Sequence, residues 1–440
     1  MILRFDDGAL LKGTLEQMDE TSLLWDSPVF PAPQRLSTER LMELSAPSIQ
    51  DLEQPEGDHL AVVTLTNEDE IRGTLQSVTD EEIRIQTSFG GHLTFRRDMV
   101  ARLSIEDRPE VIYQGPQGPD DWTPSEEDGW IYKDGQLICQ KNSSVSRDIG
   151  ELNRFRILLD LSWHENARFR LYLHADHPNL DEVGNCYELV CQSQYAYLRK
   201  RTRTANRTET TTVGTTGGIR ELQELEKIRL ELLQDRSTGR VRLKMGGRTI
   251  ADWTEQAPDQ NPMGSFVHFL GDMSGAVAIS RIRVTTWDGV VEGEWQDRRA
   301  GMGFFMQDEL STENEELTRP AGNGILLRNG DILEGETLGI EEGRVRLKTE
   351  FSEFELPVSR LKTFALRTEA EANDPELCWK PIRRKNDVRG FFPDGGGITF
   401  ELIECNGETL KGRSQTFGEA DFLLEGFSRI EFNLYDPDRR

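Results

Sequence analysis

Strict period-two alternation over residues 155–163 narrows the possible folds more than any other feature of this chain. Phe155, Ile157, Leu159, Leu161 and Trp163 alternate with Arg156, Leu158, Asp160 and Ser162. Side chains at i, i+2 and i+4 share a face in a strand and not in a helix. The same pattern returns with Phe169, Leu171 and Leu173 against Arg170, Tyr172 and His174, and with Tyr187 and Leu189 around Glu188. Ile228, Leu230 and Leu232 lead through the turn Asp235-Arg236-Ser237-Thr238-Gly239 into Val241, Leu243 and Met245. Two last strands are expected at Phe266–Phe269 and Val277–Val284. From Gly129-Trp130 to Thr286-Trp287-Asp288 the chain therefore predicts an antiparallel sandwich, each sheet with one wet face.

The flanks carry a shorter pattern, written four times. An apolar strand meets a turn of Asp, Asn or Gly residues and is followed by an apolar strand that, in three copies, contains a glycine. Ile2–Phe5, Asp6-Asp7-Gly8 and Leu11-Lys12-Gly13-Thr14-Leu15 give the first copy. Val62–Leu65, Asn67-Glu68-Asp69 and Ile71-Arg72-Gly73-Thr74-Leu75 give the second. Ile325-Leu326-Leu327, Asn329-Gly330 and Ile332–Gly335 give the third; Phe391-Phe392, Asp394-Gly395 and a strand with Phe400 in place of the glycine give the fourth. Recurrence at fixed spacing marks repeated small units, and each fits a five-stranded small barrel. The expected fold is all-β: a central antiparallel jelly-roll sandwich with two pairs of small five-stranded barrels at the N- and C-terminal sides. Barrels are placed at 1–50, 59–106, 324–367 and 382–436, the sandwich at 129–290, a Pro-rich linker at 107–128 and an acidic linker at 291–323.

Two family resemblances follow from these residues. Gly129-Trp130, Asp134-Gly135-Gln136-Leu137, Asp235 to Leu243 and Ile279-Ser280-Arg281-Ile282-Arg283-Val284 together resemble a concanavalin A-like jelly roll, the fold of laminin-G-like, lectin and certain glycosidase domains. The flanking copies resemble Sm-like and SH3-like small barrels. The first resemblance implies carbohydrate or protein binding and extracytoplasmic residence. Retaining glycosidases of that fold carry acids at alternate positions of one strand, which sets nucleophile and acid on one face. No strand here has that pattern: Glu126-Glu127-Asp128 and Asp181-Glu182 fall in loops. No catalytic residue is assigned.

A ligand-binding face is expected on the polar side of the strands at 155–163, 169–174 and 186–191. If these are neighbours, Arg156, Asp160, Arg170, Tyr172, His174 and Glu188 line one surface, a mixture of donors, acceptors and an aromatic suited to sugar hydroxyls. The competing reading is an ordinary solvated face laced with ion pairs. A second candidate is the basic run Arg199, Lys200, Arg201, Arg203 and Arg207, fit to dock an acidic partner, an acidic glycan or the chain's own acidic linkers.

Charge bounds the partners. There are 78 acids against 52 bases, a formal charge of −26. Such a surface repels phosphate backbones and anionic lipid, so neither nucleic acid nor membrane is an expected partner, and no apolar run is long enough to cross a bilayer. Cys139, Cys186, Cys191, Cys378 and Cys405 include no CxxC pair and read as buried thiols. His174 and His177 are close in sequence but lack a third ligand for zinc. No nucleotide or dinucleotide motif occurs, so no cofactor is expected. Met1 to Phe5 already alternates like a strand, which leads to an expectation of further sequence upstream. The function expected is a non-enzymatic binding or scaffold protein. The alternatives are a carbohydrate-active hydrolase using the polar face and a purely structural assembly module.

Overall fold

The computed structural model describes residues 1–46, 59–289 and 324–436, with Leu52, Pro55 and Gly57; within these spans residues 165–166, 205–206, 256–263, 272–276, 329–331, 342, 350, 365 and 367–381 are not described. The expected acidic linker at 291–323, the Asn329-Gly330 turn and Cys378 lie outside the described residues. The protein is all-β, with three antiparallel sheets and, among the described residues, a single short α-helix at Arg220–Glu224. Two compact units emerge. One is built from residues up to 108 together with those from 324 onward, and the other from 109–289.

In the first unit, four segments have the same order of elements. Residues 2–45, 59–107, 324–364 and 387–431 each run through apolar strands to a short 3-10 turn and a closing strand. Those turns are Thr38–Arg40, Arg97–Met99, Val358–Arg360 and Leu424–Gly426. In each segment the closing strand pairs antiparallel with the first. Closing strands also pair with each other, and across the length of the chain. Leu41–Ser45 pairs with Arg429–Glu431, with Leu44 opposite Ile430, and Val100–Asp107 pairs with Leu361–Phe364, with Ser104 opposite Thr363. An N-terminal segment thus shares its sheet edge with a C-terminal one, which covers backbone donors and acceptors that an open edge would expose.

Two of the strand glycines mark close backbone approach. A Cβ on Gly73 would lie 2.5 Å from the Gln86 carbonyl oxygen, and one on Gly335 would lie 2.6 Å from that of Lys348. In the fourth segment the small residue moves to the neighbouring strand, where Gly412 leaves room for the Phe400 ring. The core is continuous through all four segments. Phe89 of the second segment stacks on Phe392 of the fourth, centroids 3.8 Å apart. Asp69, fully buried, accepts from Thr399 N at 2.7 Å and Thr399 Oγ1 at 2.8 Å.

The second unit is a sandwich of an eight-stranded and a seven-stranded sheet. The larger runs Trp130–Lys133, Gln136–Cys139, Ala278–Thr286, Arg154–Ser162, Lys227–Asp235, Arg240–Met245, Arg248–Thr254, and Val111–Gly115 also pairs with Ala278–Thr286. The smaller runs Thr123–Pro124, Ser144–Asp148, Phe266–Gly271, Arg168–Ala175, Cys186–Gln192, Tyr195–Arg203, Thr208–Gly217. The alternating apolar residues meet between the sheets: Phe155, Ile157, Leu159 and Leu161 share one core with Phe169, Leu171, Leu173, Tyr187 and Leu189. Residues 107–128, read from their prolines as a connector, supply two short strands of the sandwich. Pro124 sits in the outermost strand, where a missing N–H breaks no ladder.

Candidate functional site

Register determines which side chains share the outer face of the seven-stranded sheet. Antiparallel pairing sets Ser146, His268, Tyr172, Glu188, Arg199 and Thr212 in one row across six strands. The adjacent row is Ser144, Leu270, Arg170, Val190, Tyr197 and Thr215. On the other side, Cys186, Arg201 and Thr210 are aligned. Since alternate residues share a face, these rows form one surface opposite the core.

Glu188 anchors it. The carboxylate is 3 % exposed, and its Oε1 accepts from the Tyr172 hydroxyl at 3.1 Å and from Arg170 Nη1 at 3.3 Å. A buried carboxylate requires such donors, because an unpaired one would forfeit its hydration without return. Burial and, after it, the Glu188 charge push the Tyr172 phenol up to about 12, so it remains a neutral donor. The Arg201 guanidinium lies 5.8 Å from the centre of the Tyr172 ring, and that of Arg199 lies 4.3 Å from the centre of the Tyr197 ring. Both arginines are half-buried, as is Tyr197, while Tyr195 at the strand start is exposed. Phe266, Leu270 and Leu180 form a small apolar patch beside Tyr172 and Cys186.

His268 is fully buried beneath this face. Its Nε2 is 2.9 Å from the His177 carbonyl, which can only accept, so Nε2 carries the proton. Burial depresses its pKa, and Nδ1 has no hydrogen-bond partner.

The six residues expected to line one surface do not all meet. Arg156 and Asp160 belong to the other sheet: the Arg154–Ser162 strand pairs with Lys227–Asp235 and Ala278–Thr286, and not with Arg168–Ala175. There they form a buried charge lattice. Asp160 accepts from Arg229 Nε at 2.9 Å and Arg281 Nη1 at 2.7 Å, and Glu231 accepts from Arg156 Nε at 2.6 Å. His174 also leaves the face. It sits in a bulge between Tyr172 and Ala175 with φ of 51°, buried, its ring 5.1 Å from that of Phe155. Burial, then the Arg236 charge, lowers its pKa to about 4. Arg170, Tyr172 and Glu188 are brought together.

The basic run divides by parity. Arg199, Arg201 and Arg203 share the outer face; Lys200 points the opposite way and pairs with Glu255 at 2.6 Å. Arg207 donates to Glu209 at 2.6 Å. Tyr197 and His268 were missed. The alternation of Tyr195 and Tyr197 against Ala196 and Leu198 is the signal that points to the former. Among the described residues no group of three or more His, Cys, Asp or Glu stands close enough to hold a metal ion, and His177 pairs with Glu182 at 3.3 Å. Cys139, Cys186, Cys191 and Cys405 are buried free thiols. No helix among the described residues is long and apolar enough to cross a membrane.

No protein-family model and no curated protein matches the sequence. Among solved structures, a galectin-fold protein from Bacillus subtilis is 14 % identical with a TM-score of 0.32, covering 41 % of this chain and 98 % of its own. A carbohydrate-binding module of family 66, also from Bacillus subtilis, is 13 % identical with a TM-score of 0.27, covering 37 % and 93 %. The potassium-bound carbohydrate recognition domain of Emp46p is 11 % identical with a TM-score of 0.30, covering 41 % and 98 %.

Proposed function

We propose that the protein is a non-enzymatic binding protein whose sandwich, a concanavalin A-like jelly roll at 129–290 with added strands from 111–124, takes a carbohydrate on the outer face of its seven-stranded sheet. The observation that carries this is the pair of adjacent rows holding Tyr172, Glu188 and Arg199 beside Arg170 and Tyr197. A pyranose presents C–H groups on its faces and hydroxyls around its rim. On this face the half-buried Tyr197 ring suits the former, and the guanidinium groups of Arg170 and Arg199 suit the latter. Glu188 has Tyr172 and Arg199 beside it in its row, and Cys186 and Val190 along its strand. None of these is an acid, whereas glycoside hydrolysis calls for a second carboxylate across the bond. That favours binding over turnover.

The four small segments are, in this reading, copies of one SH3-like or Sm-like barrel that serve packing and assembly. Their support is the shared element order and the pairing of closing strands. An immobilised glycan array probed with the full chain and with Tyr197→Ala tests the carbohydrate reading. Binding by the native chain, weakened at least tenfold in the variant, is expected. A native chain that binds no glycan, or one that releases new reducing ends, contradicts it.

A further inference from the structure

The outer face of the seven-stranded sheet is cationic in a chain whose formal charge is −26. Arg168, Arg170, Arg199, Arg201 and Arg203 project from it, and the rows give it Glu188 as the central acid. Arg170 is committed to that carboxylate. Arg199 and Arg201 are not: they are held against the Tyr197 and Tyr172 rings, and no carboxylate among the described residues lies within ion-pair distance of either. Neither guanidinium group is taken up by a carboxylate among the described residues, so each can offer its fork of donors to an anion. The two stand two residues apart on one strand, about 7 Å along it. Thr212 and Thr210 lie directly opposite them on the next strand and add hydroxyls to the same strip.

A merely solvated face in an acidic protein gains little by keeping two guanidinium groups out of direct ion pairs. It loses the long-range repulsion that would otherwise turn anions away. We infer that the saccharide taken by this face is anionic, its carboxylate or sulfate groups held by Arg199 and Arg201 while Tyr197 and Tyr172 support the arginines from behind. This rests on the carbohydrate reading above and adds the charge of the ligand to it. Guanidinium and carboxylate or sulfate oxygens match in a bidentate geometry that a neutral hydroxyl cannot provide.

Isothermal titration of the full chain separates the claims. The probes are an oligogalacturonate, its methyl ester, a sulfated oligosaccharide with its desulfated counterpart, and polyaspartate. The charged form of at least one saccharide pair is expected to bind roughly tenfold or more tighter than its neutral form. That difference is expected to disappear in Arg199→Gln/Arg201→Gln, whose circular dichroism stays native. Whether the carboxylate or the sulfate pair shows it identifies the anion. Equal affinity for charged and neutral forms overturns the inference and leaves the carbohydrate reading intact; no binding of any saccharide overturns both. Polyaspartate binding as tightly as the best saccharide also overturns the inference, since charge alone would then account for it.

Discussion

The Tyr172 hydroxyl donates to Glu188 Oε1 across 3.1 Å, between neighbouring strands and within one row of the outer face. Both side chains are buried; removing Glu188 orphans the Tyr172 hydroxyl, and removing that hydroxyl leaves Glu188 with Arg170 as its donor. Tyr172→Phe should cost about 1 kcal/mol of unfolding free energy and Glu188→Ala about 2 kcal/mol. The double variant should cost less than their sum, because the second change no longer orphans a group. Urea unfolding of the three variants measures this; strict additivity would mean that the bond contributes nothing.

The charge lattice on the other sheet leads to a contrasting expectation. Asp160 is buried between Arg229 and Arg281. Asp160→Ala takes a carboxylate partner from two buried cations and should destabilise the chain by about 3–5 kcal/mol. Replacing all three residues by leucine should cost less than the single change, because desolvated charge goes along with its partners. Denaturation midpoints of the two variants decide the point, and a triple variant weaker than Asp160→Ala would refute the argument.

His174 makes stability depend on pH. Its folded pKa of about 4 lies below the ordinary 6.5, so the unfolded chain binds the proton more tightly. Its contribution is fully present above pH 6.5, falls as pH drops from there to about 4, and is flat below. The total loss is roughly 3 kcal/mol. His174→Asn, whose side chain tolerates the left-handed backbone at this position, should flatten that part of the stability profile. An unchanged slope between pH 6.5 and 4 in the variant would assign the effect to other groups.

In the other unit, the stacking of Phe89 on Phe392 joins segments from opposite halves of the sequence. Phe89→Ala should lower stability by about 3–5 kcal/mol. Hydrogen exchange should accelerate in both 82–96 and 418–427. Acceleration confined to the first stretch would show that the two segments are not coupled through this ring.

How much of this was legible follows from what alternation can and cannot encode. Phe155 to Trp163 announces a strand and states which side chains share a face. It does not state which strands are neighbours, and Arg156 and Asp160 went to the opposite sheet from Tyr172 and Glu188 for that reason. Parity alone, applied to Arg199-Lys200-Arg201, separates Lys200 from its neighbours, as the pairing with Glu255 bears out. His174 departs from the alternation through a bulge, which no local residue type announces. The pairing of Leu44 with Ile430 joins residues too distant in sequence for any local pattern to report.

Hydrogen–deuterium exchange of the full chain, with and without the saccharide that binds best on the array, tests the central claim most directly. Slowed exchange is expected in Arg168–Ala175, Cys186–Gln192 and Tyr195–Arg203, with Lys227–Asp235 and Arg240–Met245 unchanged. Protection confined to the eight-stranded sheet or to the other unit would contradict it.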